Sequence, residues 1–386
     1  ADGDPLTTQI RDRGSDVVDL ERHVLAVGGG YIAFDQVHLM TVAGIEPRAW
    51  EPEVGPRQRD QTEDVAVELQ RPCGVADVER HVMDVGDAHD ATLPRCPREH
   101  DRTMRGTMTE PSWWRQRRFG LMIEANLATV PAWAPVGEYA EWYWAHSEEG
   151  LPDVLLHPSP MIETLDHHRR HWPHVERHDD FLPYLTFDGF DADEWAELAV
   201  AAGAGYVVQV AKHHDGLCWW DAPNTARTVL VDGPRRNVLG ELAAACERAD
   251  LVFGTYYSLL DWSDPRYPSS RYVDEIAHPH MLDLVSRYGS RMLWGGGHWG
   301  AGGAHWRSDD LIAAARQIDP TLLVNDRWWS DGPGVREYEY QLPDGILAEP
   351  WEMRRGLGRS FAYNRAERPE SMLDGAGIVS LLTEVV

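Results

Sequence analysis

The 386-residue sequence has little cysteine, no long apolar run and little positive charge. It has four cysteines, Cys73, Cys96, Cys218 and Cys246, with no CxxC pair and no dense framework, which suits a protein that does not depend on disulfides. It has no apolar run of about 18 residues, so no membrane-spanning helix is expected. The start, Ala1-Asp2-Gly3-Asp4-Pro5, has no basic stretch leading into an apolar one, so no secretory signal is visible and a cytoplasmic location is expected. Positive charge is also short: 36 Lys and Arg face 63 Asp and Glu, for a net charge of −27. That balance would repel phosphates and anionic lipid, which argues against nucleic-acid and membrane partners.

Aromatic residues are plentiful instead. Seventeen tryptophans favour carbohydrate, because flat rings stack on the C–H faces of sugars, although core filling explains most of them one by one. A hydrophobic fraction of 43% supports a sizeable core.

The composition divides near residue 110. Residues 1–107 are rich in Arg, Asp, Val and His without sustained periodicity and read as a poorly ordered leader or accessory segment. Met104 and Met108 are candidate starts just ahead of the folded pattern. From Trp113 onward, apolar runs at Phe119–Ile123, Tyr206–Ala211, Val252–Tyr257, Arg291–Trp294 and Leu322–Val324 read as strands. Helical patterns lie between them at Asp191–Ala204, Asn237–Ala249, Tyr272–Tyr288 and Ser308–Ile318, the last with Ser308 as N-cap. Alternation of this kind predicts an α/β domain with a parallel sheet over residues 108–386. A (β/α)8 barrel is favoured over a doubly wound sheet, since polar residues collect after the strands and no glycine-rich phosphate loop follows the first.

The clearest motif is Lys212-His213-His214-Asp215-Gly216, directly after a strand. In the turn beyond the strand both histidines can reach one pocket as hydrogen-bond donors. A metal site is the competing reading, but no carboxylate or histidine at helical spacing completes it. In the stretch His167, His168, His171, His174 and His178, the last three have spacings of three and four that fit one helix face, where a metal site competes with a solvated, Arg-interleaved helix or loop. No cofactor is expected.

These residues sit within a longer pattern: Trp195-Ala196-Glu197-Leu198-Ala199, Phe253 to Ser258, Leu260-Asp261-Trp262, Val324-Asn325-Asp326-Arg327, Trp351-Glu352 and Gly358 to Asn364, with Arg118 to Leu121, Val130 to Trp133 and Glu141-Trp142-Tyr143 upstream. Over about residues 113–386 the chain resembles glycoside hydrolase family 29, the α-L-fucosidases. The resemblance implies a barrel acting on terminal α-L-fucosides of oligosaccharides or glycoconjugates, with the sugar surrounded by Glu141, Trp142, His213, His214, Tyr257 or its neighbour Tyr256, Trp294, Arg327 and Phe361. It also implies Glu339 as acid/base, with Glu337 and Glu352 next in rank. A retaining enzyme needs a second carboxyl group about 5–5.5 Å from the first. The family's nucleophilic Asp lies two residues after the tryptophan that matches Trp294, and this chain has Gly296 there. Glu124 stands where the family has a sugar-binding histidine, and Asn237 where it more often has Asp.

The resemblance further implies that the chain stops before the last barrel strand and the β-sandwich that follow in the family, with Met372–Val386 as the preceding helix. The expected function is therefore a family 29 hydrolase severely impaired by the glycine. The alternatives are a fucose-binding protein without turnover and a nucleophile-deleted glycosynthase.

Overall fold

The computed structural model describes residues 37–43, 111–147, 160–299, 301–330, 334–343, 345, 347 and 350–385. Its frame is an eight-stranded sheet in the order β6-β5-β4-β3-β2-β1-β8-β7. The strands are β1 (Val37–Ala43), β2 (Phe119–Ile123), β3 (Tyr206–Lys212), β4 (Val252–Ser258), β5 (Met292–Gly296), β6 (Leu323–Val324), β7 (Arg336–Glu339) and β8 (Trp351–Gly356). Strands β2 to β6 run parallel in chain order, and β7 pairs parallel with β8. A parallel bridge between Asn325 and Val335 joins the segments next to β6 and β7, the two ends of that order.

The five expected strands are present within two residues of their predicted limits. β3 and β4 are buried along their whole length, which is why they read as unbroken apolar runs. Strand β1 was not anticipated. It lies antiparallel between β2 and β8, so the sheet is not purely parallel and part of residues 1–107 belongs to it. The rest of the reading of that leader lies outside the described residues.

Helices alternate with the strands: α1 (Ser112–Gln116), α2 (Tyr143–Ser147), α3 (Ile162–His171), α4 (Ala192–Ala201), α5 (Val238–Arg248), α6 (His278–Tyr288), α7 (Ser308–Ile318) and α8 (Gly375–Val385). Asp191 caps α4 by accepting from the amides of Asp193 and Glu194. Asn237 caps α5 through the Gly240 amide at 3.0 Å and donates to the Tyr288 hydroxyl, which accounts for an amide at that position. On α5 the buried residues Val238, Leu239, Leu242, Ala245 and Cys246 fall on one stripe facing the sheet. The Ser308 cap is corrected. Arg307 is the N-cap, in a left-handed conformation, and the Ser308 hydroxyl is buried without a hydrogen-bond partner among the described residues. Cys218 and Cys246 are free and buried. Among the described residues no helix is long and apolar enough to cross a membrane.

Candidate active site

The polar residues collect where β2 to β5 end and the chain turns. Lys212, the sequence's only lysine, closes β3 and is buried. Its ammonium donates to the carbonyls of Ser258 (2.8 Å) and Leu260 (3.1 Å) and lies 3.2 Å from the Asp261 carboxylate, tying the turn after β3 to the turn after β4. Gly216 holds the first of these turns at φ +76°, where a β-carbon would also meet the Asp261 carboxylate.

Within that frame the two histidines take opposite roles. His214 Nδ1 is 2.6 Å from the Ser258 hydroxyl, which itself donates to the Leu260 carbonyl. The serine must therefore accept from Nδ1–H, and the tautomer this network assigns to His214 leaves its Nε2 as an acceptor. On His213 the Asn126 amide donates to Nδ1 at 3.3 Å, leaving the proton on Nε2, 3.5 Å from Glu124 Oε1. Burial lowers the basicity of both rings, His213 to about 3, so both are neutral. A neutral donor beside a neutral acceptor is suited to reading hydroxyl groups.

Three buried carboxyl groups face this pair. Burial pushes Glu124 up to about 8 against the pull of Arg354, and it raises Glu141 as well, with Glu124 as the next cause. One oxygen of Glu141 is buried without a hydrogen-bond partner among the described residues. Asp215 is different. It accepts from the Leu127 and Leu217 amides and lies 3.4 Å from His178, and these bonds overcome burial to hold it at about 2. Asp215 is an anchor that fastens the His213–His214 turn to the segment after β2.

Opposite lies a second charged group. Arg327 pairs with Glu337 (2.5 Å) and Glu339 (2.9 Å), and Arg354 pairs with the same two carboxylates. The Arg354 guanidinium is sandwiched by Trp294 (4.4 Å) and Phe361 (4.6 Å). Burial alone would raise Glu339, but Arg354 and Arg327 outweigh it and hold the carboxyl below its usual range. Glu339 is thus an anion clamped by two cations, the form of a base rather than of an acid. Glu352 is fully buried, accepts from the Trp294 indole at 2.5 Å and is pushed up to about 8 by burial. Arg354 was absent from the sequence reading. Its partners lie fifteen or more residues away in sequence, and only the β7–β8 pairing brings them beside it.

Trp294 and Gly296 lie two apart on β5 and therefore share a face. A β-carbon on Gly296 would collide with the hydroxyl and ring of Tyr256, so the tyrosine fills the space a side chain there would need. Tyr256 pairs in register with Trp294 and stacks on His213 at 5.7 Å. This corrects the choice between the two tyrosines. Tyr257 points the other way, 3.1 Å from His280 and beneath Lys212, in the wall of the fold. Gly297, at φ +65°, then turns the chain hard against Leu260.

Trp142 meets His214 edge-on at 4.9 Å, and Trp262 and Trp299 complete an aromatic wall around it. The structure thus gathers Glu124, Glu141, Trp142, His213, His214, Trp294, Arg327, Glu339, Phe361 and Gly296 around one region, with Tyr256 in place of Tyr257. The further histidines do not share a helix face: α3 ends at His171, His174 bonds the Tyr184 hydroxyl, and His178 turns to Asp215. Among the described residues no group of three His, Cys, Asp or Glu is placed to hold a metal ion.

A family model described as Alpha-L-fucosidase matches residues 95–386. The tissue alpha-L-fucosidase of Bos taurus is 31% identical over 295 residues, covering 72% of this chain and 60% of the relative. The alpha-L-fucosidase of Dictyostelium discoideum is 29% identical over 296 residues, covering 71% and 62%. A solved alpha-L-fucosidase superposes with a TM-score of 0.63 at 33% identity, covering 72% of this chain and 67% of that one. An alpha-L-fucosynthase of Thermotoga maritima with an aspartate changed to glycine, solved with alpha-L-Fuc-(1-2)-beta-L-Fuc-N3, gives 0.60 at 34% identity, covering 72% and 66%. This chain spans about 60% of the length of the curated relatives it matches.

Proposed function

This chain belongs to glycoside hydrolase family 29, the α-L-fucosidases, and from that membership we propose that it binds terminal α-L-fucosyl groups of oligosaccharides or glycoconjugates in the pocket of His213, His214, Glu141 and Trp142 but hydrolyses them very poorly. The sheet, whose ends meet through Asn325 and Val335, is read as a (β/α)8-type barrel with the pocket at its carboxyl-terminal mouth.

The observation that carries the reading is Gly296. In a retaining mechanism a carboxylate attacks the anomeric carbon while a carboxylic acid protonates the leaving oxygen. Glycine supplies no carboxylate, and Tyr256 occupies the space where one would stand. The other partner is also in the wrong state for the first step, since Arg327 and Arg354 hold Glu339 as an anion. Recognition is less affected. His213 donates, the His214 Nε2 accepts, and Trp142, Trp262 and Trp299 present apolar faces to the ring and its methyl group.

The test is calorimetry with L-fucose together with turnover of an aryl α-L-fucoside. Saturable L-fucose binding with no measurable aryl release is expected. Absence of L-fucose binding would remove the pocket assignment, and unaided turnover would remove the assignment of Gly296.

The anionic Glu339 favours a second reading. A carboxylate base is what an acceptor hydroxyl needs when it attacks a β-L-fucosyl donor and expels the leaving group, with its proton passing to Glu339. Likeness to the aspartate-to-glycine fucosynthase supports the same reading. Incubation with β-L-fucosyl azide and a sugar acceptor should then give an α-linked disaccharide, and Glu339→Gln should abolish its formation.

A further inference from the structure

Glu337, Glu339, Glu352 and Arg354 share one face of the β7–β8 pair, because Glu339 is the register partner of Arg354 and Glu337 that of Glu352. From that face all three guanidinium nitrogens of Arg354 are engaged. Nε lies 3.4 Å from Glu337 Oε1, Nη2 donates to Glu339 Oε2, and Nη1 reaches the Met122 sulfur on β2 at 3.7 Å. Trp294 and Phe361 sandwich the group, and 4% of the side chain is exposed. Arg327 is held less closely: 14% of its side chain is exposed, and its guanidinium lies 5.5 Å from the Trp294 ring.

The two carboxylates of this cluster differ. Glu337 has no exposed side-chain surface, whereas 10% of the Glu339 side chain is exposed, so Glu339 is the one a ligand can reach. Both arginines meet the same oxygen of Glu339, Oε2. Its other oxygen, Oε1, accepts from the Tyr139 hydroxyl at 3.3 Å, a neutral donor that can turn to accept instead. Glu124, Glu141, His213, Tyr256 and Tyr340 also face Glu339 electrostatically, and burial disfavours the charged form of each. The fixed charges around Glu339 are therefore Arg354, Arg327 and Glu337, with Arg354 the stronger of the two cations.

We infer that Arg354 is a positioning residue for Glu339: wedged between Trp294 and Phe361, it pins Oε2 and reserves Oε1 for the proton of an attacking hydroxyl group. This role belongs to the transfer reading of Glu339 given above. The acceptor oxygen bonds to the anomeric carbon of a β-L-fucosyl azide, its proton passes to Oε1, and azide leaves with the electron pair of its bond to that carbon. The positive charge at Oε2 keeps Glu339 deprotonated. A fork-shaped guanidinium also fixes the plane of the carboxylate in a way that a point charge does not. Arg327 is less suited to this, since its Nη2 is divided between Glu337 and Glu339.

The test follows transfer from β-L-fucosyl azide to a sugar acceptor by the full chain, from acid to alkaline pH. Carbon-13 titration of the Glu339 carboxyl, assigned by its loss in Glu339→Gln, runs beside it and needs no turnover. Arg354→Met should move the acid limb of the transfer profile, and the Glu339 titration with it, up by about 1–3 pH units. Arg354→Lys keeps the charge, so the limb should stay in place while the limiting rate falls about tenfold with the acceptor KM unchanged. The lysine variant also carries the test if the methionine variant does not fold. A residue that only supports the fold would lower the yield of folded protein without moving the limb. An unmoved limb and titration in Arg354→Met, or a full transfer rate in Arg354→Lys, would overturn the role of Arg354. No product from the unaltered chain would remove the transfer reading. A Glu339 titration still shifted by Arg354→Met would then show the hold of Arg354 on that carboxylate, and an unmoved one would remove both.

Discussion

The hydroxyl of Tyr256 stands in the space that a side chain on Gly296 would occupy. The tyrosine ring is held between His213 and Trp294, with centroids 5.7 Å and 5.8 Å away, so it cannot yield without disturbing both. On the proposed reading, placing a carboxylate at position 296 therefore takes two changes. Gly296→Asp alone should overpack the site by about 1–3 kcal/mol and lower the thermal midpoint by several degrees, with little gain in turnover. Gly296→Asp combined with Tyr256→Ala should recover activity relative to the single variant, while the truncated ring brings a stability cost of its own, about 3–5 kcal/mol. Calorimetric melting and aryl fucoside release check this. Full activity in the single variant, with an unchanged melting temperature, would show that Tyr256 is no obstacle.

The buried carboxyl groups make stability depend on pH in a definite direction. Burial raises Glu124 and Glu352 to about 8, so the folded chain holds protons that the unfolded chain, near 4.5, releases. Their full contribution to stability is present below 4.5 and is lost progressively as pH rises toward 8. Asp215 acts in the opposite sense, contributing above its ordinary value of 3.8 and losing that contribution as pH falls toward 2. Denaturant midpoints measured from pH 5 to pH 8 should fall, and Glu124→Gln should flatten the decline. A rising midpoint across this range would refute the protonated state of Glu124.

Arg354 is 3% exposed and neutralises Glu337 and Glu339 together. Removing one partner of a buried ion pair leaves uncompensated charge and typically costs about 3–5 kcal/mol. Arg354→Met should show a loss of that size in urea unfolding, and the surviving partner Arg327 should make Glu339→Gln milder. A loss below about 1 kcal/mol would mean that solvent reaches the cluster.

Ser258 sets the tautomer of His214 by accepting a hydrogen bond from its Nδ1–H while its own hydroxyl donates to the Leu260 carbonyl. Ser258→Ala frees the ring to place its proton on Nε2, where it can no longer accept from a sugar hydroxyl. L-fucose affinity should fall about tenfold, the worth of one hydrogen bond left unmade. Nitrogen chemical shifts of His214 should move with it. An unchanged affinity would remove His214 Nε2 from the list of sugar acceptors.

Much of this arrangement was legible because it is local. Apolar runs marked β2 to β6, and Asp191 opened the helical pattern of α4, where its cap acts over two or three residues; the cap that Asn237 gives α5 is visible only in the structure. Family resemblance located His213, His214 and Gly296, but it left Tyr256 and Tyr257 undecided, and only the register of β4 with β5 decides which one faces Trp294. The Ser308 cap failed because Arg307 adopts the left-handed conformation first, a backbone choice that the residue type does not advertise. Arg354 was invisible because its meaning is a contact across β7 and β8. Strand β1 lies in a stretch whose composition promised no regular structure, and its pairing with β2 and β8 gives it a role. The anionic state of Glu339 likewise depends on two arginines brought to it by the fold.

The central claim is that this pocket recognises fucose without the group that would open the glycosidic bond. Its most direct test is steady-state turnover of 4-nitrophenyl α-L-fucoside by the chain as it stands, at substrate concentrations where L-fucose binding is saturated. The account predicts no release above the uncatalysed background. Unaided turnover at roughly 1 per second or faster, within the ordinary enzymatic range, would contradict it and require a nucleophile other than a residue at position 296.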